Sequence, residues 1–161
     1  MQFEHIIQIN SFELGAPPLL SREQVWRGIA LRIYDPANFI IGLEGHAVRH
    51  HERREDGSEV IERTLYFGSF EVNDRATLIP MEQIRIDVAA THHWPACSAR
   101  IGIEEPEDGF LFLRFIYEWD DEDPSEKALT DKERGIREQA YLAMDMDTVI
   151  RVRQLAEDSM H

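Results

Sequence analysis

Residues 61–76 read Ile61-Glu62-Arg63-Thr64-Leu65-Tyr66-Phe67-Gly68-Ser69-Phe70-Glu71-Val72-Asn73-Asp74-Arg75-Ala76. Gly-Ser between two alternating runs is the signature of a two-residue hairpin loop. Such a loop sets Phe67 opposite Phe70, and the remaining partners follow by counting. Leu65 faces Val72, Arg63 faces Asp74 and Ile61 faces Ala76 on one side; Tyr66 faces Glu71, Thr64 faces Asn73 and Glu62 faces Arg75 on the other. The first side is apolar apart from one opposite-charge pair, and the second is polar. This is a hairpin with one buried face.

Working outward, short turns at Asp56-Gly57, Pro80-Met81-Glu82, His92 to Ala96, and Pro106 to Gly109 divide residues 44–119 into six strands. Turns this short join antiparallel neighbours in sequence order, a meander. In its last three strands Ile84, Ile86, Val88 and Ala90 share a face with Cys97, Ala99, Ile101 and Ile103. Leu111, Leu113, Phe115, Tyr117 and Trp119 continue that face, while Arg85, Asp87, Arg100, Glu104 and Arg114 fill the other. Phe112 and Ile116 fall on the polar side against the pattern.

Upstream, Phe3, His5, Ile7 and Ile9 alternate as one face of a further strand. Ser21-Arg22-Glu23-Gln24 is a capping box that opens a helix through Val25, Trp26, Ile29 and Ile33, ended by Asp35-Pro36. A short second helical turn fits Pro36 to Ile41. Downstream, the acidic run Asp120 to Glu126 reads as a loop. Residues 131–158 then place Ile136, Ala140, Met144, Thr148, Val152, Leu155 and Ala156 at helical steps. A helix of about 28 residues spans about 42 Å, long enough to cross a sheet of ten-residue strands. The expected fold is α+β: a seven-stranded antiparallel curved sheet in the order β-α-α-β6-α, wrapped around the C-terminal helix, with 1–161 as a single domain.

Composition agrees with one globular domain: 43% hydrophobic and 30% charged residues, with a net charge of −14. The acidity argues against nucleic acid and against an anionic membrane surface as partners. One cysteine, Cys97, leaves no internal disulfide, and the N-terminus lacks the basic start and apolar core of a secretory signal. A cytoplasmic monomer or homodimer is the expectation.

The apolar face has two readings, a filled core or a cavity between sheet and terminal helix. The Arg63–Asp74 pair tilts towards a cavity, because a buried ion pair in a dry core is costly to desolvate. The pair then reads either as a polar anchor for a mostly apolar ligand or as a strut fixing strand register. His50 falls on the face bearing Arg63 and is a possible third member. The candidate lining comprises Leu65, Val72, Ile86, Val88, Ile101, Leu113, Phe115 and Tyr117 from the sheet, with Trp26 and Met144 from the helices. Phe39, Trp119 and Tyr141 are further candidates at its mouth.

The remaining polar residues carry weaker signals. His46, His50, His51, His92 and His93 are metal suspects by type, but alternation sends His50 and His51 to opposite faces and zinc needs three or four converging ligands. No metal or cofactor is expected. Cys97 reads as an inert inward thiol, and Asp145 and Asp147 as capping groups or partners of Arg151. There is no nucleophile elbow, dinucleotide or P-loop fingerprint, or zinc-protease motif.

Several stretches carry a family resemblance: Phe3-Glu4-His5 with Ile9-Asn10, Leu20 through Gly28, Asp35-Pro36, Phe67-Gly68-Ser69-Phe70, Asp74-Arg75, Leu113 through Glu118, and Asp145 through Thr148. In this order they resemble the AtaL-like group of the START and Bet v 1-like helix-grip superfamily, departing in the His- and Arg-rich region 46–55. The resemblance implies a tunnel-like apolar cavity binding lipids, polyketides or similar molecules, and no fixed catalytic motif. Three functions are compatible with it: binding of a small apolar molecule, a polyketide cyclase/aromatase-like or hydrolase-like enzyme using Arg63, Asp74 and His50, or a protein-partner module with an acidic surface.

Overall fold

The computed structural model describes residues 2–92 and 95–159. Strand β1 (Gln2–Gln8) is followed by helix α1 (Arg22–Tyr34) and a 3-10 turn, Pro36–Asn38. The meander then runs β2 (Gly45–Arg53), β3 (Glu59–Tyr66), β4 (Glu71–Ile79), β5 (Gln83–Val88), β6 (Cys97–Glu104) and β7 (Phe112–Trp119). A one-turn helix α2 (Pro124–Lys127) precedes the long α3 (Asp131–Asp158). The acidic run is therefore not all loop. Asp123 caps α2, accepting from the Ser125 amide at 2.9 Å, and Pro124 occupies the first turn, where its missing N–H costs nothing.

All seven strands form one antiparallel sheet in the order β1-β7-β6-β5-β4-β3-β2. The Gly68-Ser69 hairpin has the register counted from sequence, with Arg63 on Asp74, Leu65 on Val72 and Ile61 on Ala76. Gly68 takes a φ of 79°, which the loop needs and glycine provides without penalty. The capping box is present: Ser21 Oγ accepts from the Gln24 amide at 3.1 Å, and the Gln24 side chain accepts from the Ser21 amide at 2.8 Å. Strand β1 closes on β7, placing Phe3 opposite Tyr117 and His5 opposite Phe115.

One hydrophobic core joins the concave face of the sheet to α1 and the C-terminal half of α3. Val25, Ile29 and Ile33 of α1 meet Ile61, Ile84, Ile101, Leu113 and Phe115 of the sheet, with Val152 and Ala156 of α3 closing the cluster. At the crossing of the two helices a Cβ on Gly28 would lie 2.6 Å from Val152 Cγ1, so the glycine permits their close approach.

Two sequence expectations are corrected. The stripe expected on α3 holds in its C-terminal half, where Thr148, Val152 and Ala156 are buried, but not before it: Ile136 is 60% exposed, Ala140 is exposed, and Asp145, outside the stripe, is buried. Apolarity marked the stripe, and the Asp145 carboxylate is an inward group that this criterion does not mark. In β2 a bulge between Val48 and His50 inserts one residue, so His50 pairs with Glu62 on the outer face and His51 with Ile61 on the inner. His50 therefore does not join Arg63; its imidazole is exposed, 4.0 Å from Glu52.

Candidate functional site

The Arg63–Asp74 pair sits where the register put it, inside the molecule. Arg63 is 2% exposed, and its Nε and Nη2 donate to the two Asp74 oxygens at 3.0 and 2.6 Å. Its remaining terminal nitrogen, Nη1, donates to the Ile33 carbonyl at 2.9 Å, in the last turn of α1. A guanidinium forked on a carboxylate and spending its third arm on a helix C-terminus ties sheet to helix. This geometry suits a strut, each of the three guanidinium nitrogens having one partner.

A second buried polar cluster lies between β1, β7, α1 and α3. The Asp145 carboxyl of α3 is fully buried and accepts from the Tyr117 hydroxyl, at 2.7 Å to one oxygen and 2.6 Å to the other. His5 Nε2 approaches to 3.0 Å but off the hydrogen-bond direction, and among the described residues neither His5 ring nitrogen has a hydrogen-bond partner. Arg32, from the last turn of α1, reaches no closer than 3.9 Å. Burial pushes the Asp145 carboxyl up to about 6, against the opposing pulls of the Tyr117 hydrogen bond and the Arg32 charge. Burial also pushes the His5 imidazole below its usual value and the Tyr117 phenol well above its own. A carboxyl and a neutral imidazole in contact, the carboxyl titrating near pH 6, can hold or exchange a proton.

Asp145 is thus not a partner of Arg151, which turns instead to Gln154 at 3.3 Å and Asn38 at 3.2 Å. His5 and Arg32 are not among the candidates named from the sequence, and Asp145 is read there only as a capping group or partner of Arg151. The signals were present for two of them: His5 shares the alternating face of Phe3 and Ile7, and Asp145 lies three and seven residues before Thr148 and Val152. Arg32 had no such marker.

Neighbours of this cluster line open space: Met144, next to Asp145, lines one groove, and Tyr141, stacked on Tyr117, a recess. A groove of about 590 Å³ runs between residues 37–41 and one flank of α3. Phe39, Ile40 and Ile41 form one wall, Ala140, Ala143 and Ile150 the other, with Met144 and the buried Thr148 also lining it. At the start of α3 a recess of about 400 Å³ is bounded by Cys97, Trp119, Tyr141 and Arg137. There Arg137 pairs with the buried Glu126 and lies 3.9 Å from the centroid of the Trp119 ring. Tyr141 stacks on Tyr117 with centroids 4.2 Å apart, so an aromatic ladder links this recess to Asp145. Burial raises the Cys97 thiol, leaving it the weaker nucleophile expected from its inward position.

The sequence-derived lining residues separate into groups. Leu65, Ile101, Leu113, Phe115 and Tyr117 are buried, and Val72, Ile86 and Val88 are half-buried along the same face. Met144 lines the groove, whereas Trp26 faces a different recess beside Tyr34 and Pro80. His46 and His92 are exposed, and His93 and Trp94 lie outside the described residues. Among the described residues no three His, Cys, Asp or Glu side chains are placed to hold a metal, and no helix is long and apolar enough to cross a membrane.

Comparison with curated protein sequences returns no match. Among solved structures the fold is similar to the Zhui aromatase/cyclase from Streptomyces sp. R1128, at a TM-score of 0.65 and 13% identity, covering 100% of this chain and 96% of that one. It is also similar to the di-domain ARO/CYC StfQ of the steffimycin biosynthetic pathway, at a TM-score of 0.63 and 12% identity over 99% of this chain. The chain spans about half, 52%, of that two-domain protein. Norcoclaurine synthase from Thalictrum flavum matches at a TM-score of 0.54 and 12% identity, covering 100% of this chain and 96% of that one. Identities this low establish the fold alone, the helix-grip arrangement. Residues 8–159, however, match the profile of the family described as acetylaranotin biosynthesis cluster protein L, AtaL. With nearly its whole length matched, the chain belongs to the AtaL family.

Proposed function

We propose that the protein binds a small, predominantly apolar molecule in the groove between residues 37–41 and α3. The observation that carries this reading is the groove's composition and position. Ile41 and Ile150 remain 94% and 54% exposed on its walls, an apolar surface left uncovered beside a well-filled core. The groove reaches Met144 and Thr148, next to and one turn from Asp145, so an apolar body with one polar end matches what the walls and the neighbouring cluster offer. The fold's likeness to proteins named aromatase/cyclases supports a small-molecule role.

The test is binding of the fluorescent neutral probe 2-naphthol to the wild-type chain and to Ala143→Trp, which fills the groove from an exposed helix position. Binding by the wild type and a loss of about tenfold or more in the variant, with unchanged unfolding midpoint, supports the groove as the site. Equal binding by both proteins places the ligand elsewhere.

A second reading, cyclase- or aromatase-like catalysis, is favoured by Asp145 specifically: a carboxyl raised to about 6 beside a neutral imidazole suits proton transfer to and from a bound ketone. Ring formation from a synthetic poly-β-ketone, present with the wild type and lost in Asp145→Asn, would support it. A wild-type product mixture identical to the buffer control would exclude it for that substrate.

A further inference from the structure

Guanidinium groups that are buried or partly buried differ in how they are neutralised. Arg63 forks onto Asp74 and Arg137 onto Glu126. Arg32 is 9% exposed, yet among the described residues its contacts are one sulfur, Met144 Sδ at 3.9 Å from Nη2, and Asp145 Oδ1 at 3.9 Å from Nη1. Among the described residues no oxygen stands within hydrogen-bond distance of its planar fork. A mostly buried cation whose nearest carboxylate oxygen stands at 3.9 Å, beyond hydrogen-bond reach, keeps N–H donors free for a directed acceptor. Met144 is the side chain shared by Arg32 and the groove. Being unbranched and flexible, its thioether can swing aside at small cost.

We propose that Arg32 is the anion-binding element of the groove, receiving the carboxylate of an apolar carboxylic acid once Met144 moves aside. The proposal rests on the groove being the ligand site and adds the chemical class of the ligand. A carboxylate fits better than a phosphate on two counts. Its two coplanar oxygens match the two terminal guanidinium nitrogens, and a single charge is repelled less by Asp145, which lies beside Arg32. That neighbour also couples binding to protons. A carboxylate seated on Arg32 adds a like charge near Asp145, which is otherwise faced by His5 from β1, Tyr117 from β7, Arg32 from α1 and Tyr141 on its own helix. Asp145 then takes up a proton on binding, and the anion binds more weakly as pH rises.

The experiment compares 2-naphthoate with 2-naphthol, which share an apolar body and differ in the anionic group, by titration calorimetry at about pH 6, where Asp145 is partly protonated. We expect naphthoate to bind the wild type about tenfold more tightly, and Arg32→Gln to abolish that preference, read as the ratio of the two affinities within each protein. In the wild type naphthoate affinity should fall by up to about tenfold per pH unit above 6, and in Asp145→Asn it should be flat. Should Arg32→Gln not fold, Arg32→Lys keeps the charge without the fork, and the preference should drop about threefold or more. Equal affinity for the two probes in the wild type overturns the anion site while leaving the groove intact. A preference that survives Arg32→Gln overturns the role of Arg32, and failure of both probes to bind overturns the groove reading as well.

Discussion

The Tyr117 hydroxyl lies 2.7 and 2.6 Å from the two oxygens of Asp145, bridging the last strand to the last helix. A phenol has one proton, so these two contacts amount to one shared hydrogen bond. An ionised, fully buried carboxylate has four lone-pair directions to satisfy, and here it receives one directed donor and a guanidinium at 3.9 Å. The deficit is why its carboxyl is raised to about 6.

Stability should therefore fall as pH rises through the Asp145 titration. With the folded-state value above the unfolded one, the native state holds its proton more tightly between about pH 4 and 6, and losing it costs on the order of 3 kcal/mol. His5 acts with the opposite sign: its lowered value makes its contribution complete above about 6.5 and lost as pH falls through the folded value. Urea unfolding of the wild type and Asp145→Asn from about pH 4.5 to 7.5 separates the two, because only the Asp145 slope disappears in the variant. A constant stability difference between the two proteins across that range would show that Asp145 titrates normally.

The hairpin register and the burial of Arg63 and Asp74 were legible because a two-residue loop fixes every cross-strand partner by arithmetic. The Asp145 cluster was not, for two separate reasons. His5 meets Tyr117 only because β1 closes on β7, a pairing between strands over a hundred residues apart that no local pattern announces. Asp145 was discounted because apolarity was used to choose the inward stripe of α3, and a buried carboxylate is invisible to that criterion. His50 was misplaced because alternation fails wherever a strand bulges, and nothing in His-Ala-Val-Arg-His-His marks the extra residue. Local chemistry thus carried the frame, while the polar interior depended on contacts between distant elements.

Removing one member of the Arg63–Asp74 pair should be expensive. Asp74→Ala leaves a guanidinium buried with only the Ile33 carbonyl as partner, an expected loss of about 3–5 kcal/mol. Arg63→Met with Asp74→Leu removes both charges and should cost less than the single change, since apolar replacement of a buried pair is often close to neutral. Chemical denaturation of the two proteins gives the comparison. A change within about half a kcal/mol for Asp74→Ala would mean that the pair is open to solvent.

The recess at the start of α3 offers a kinetic readout. Glu126 is 3% exposed and neutralises Arg137 across from Cys97. Glu126→Ala leaves that partly buried guanidinium without its carboxylate, which favours local opening of α2 and exposure of the thiol. Alkylation of Cys97 by iodoacetamide should then run about fivefold or more faster than in the wild type, at unchanged global stability of the core. Equal rates would show that α2 stays closed without the ion pair.

Gly28 tests the contact between the two helices that frame the core. A methyl group there would sit 2.6 Å from Val152 Cγ1 and 2.9 Å from Cγ2, closer than van der Waals contact allows. Valine in a helix has one strongly preferred rotamer, so Val152 cannot turn both methyls away, and α1 must shift from α3. Alanine gains about 1 kcal/mol of helix propensity over glycine, set against an overpacking cost of about 1–3 kcal/mol. Gly28→Ala should therefore lower the unfolding midpoint even though alanine is the better helix former. Adding Val152→Ala creates room for the new methyl, so the double variant should be more stable than additivity of the two single changes predicts. Strict additivity would mean that the helices already have the clearance that the 2.6 Å distance denies.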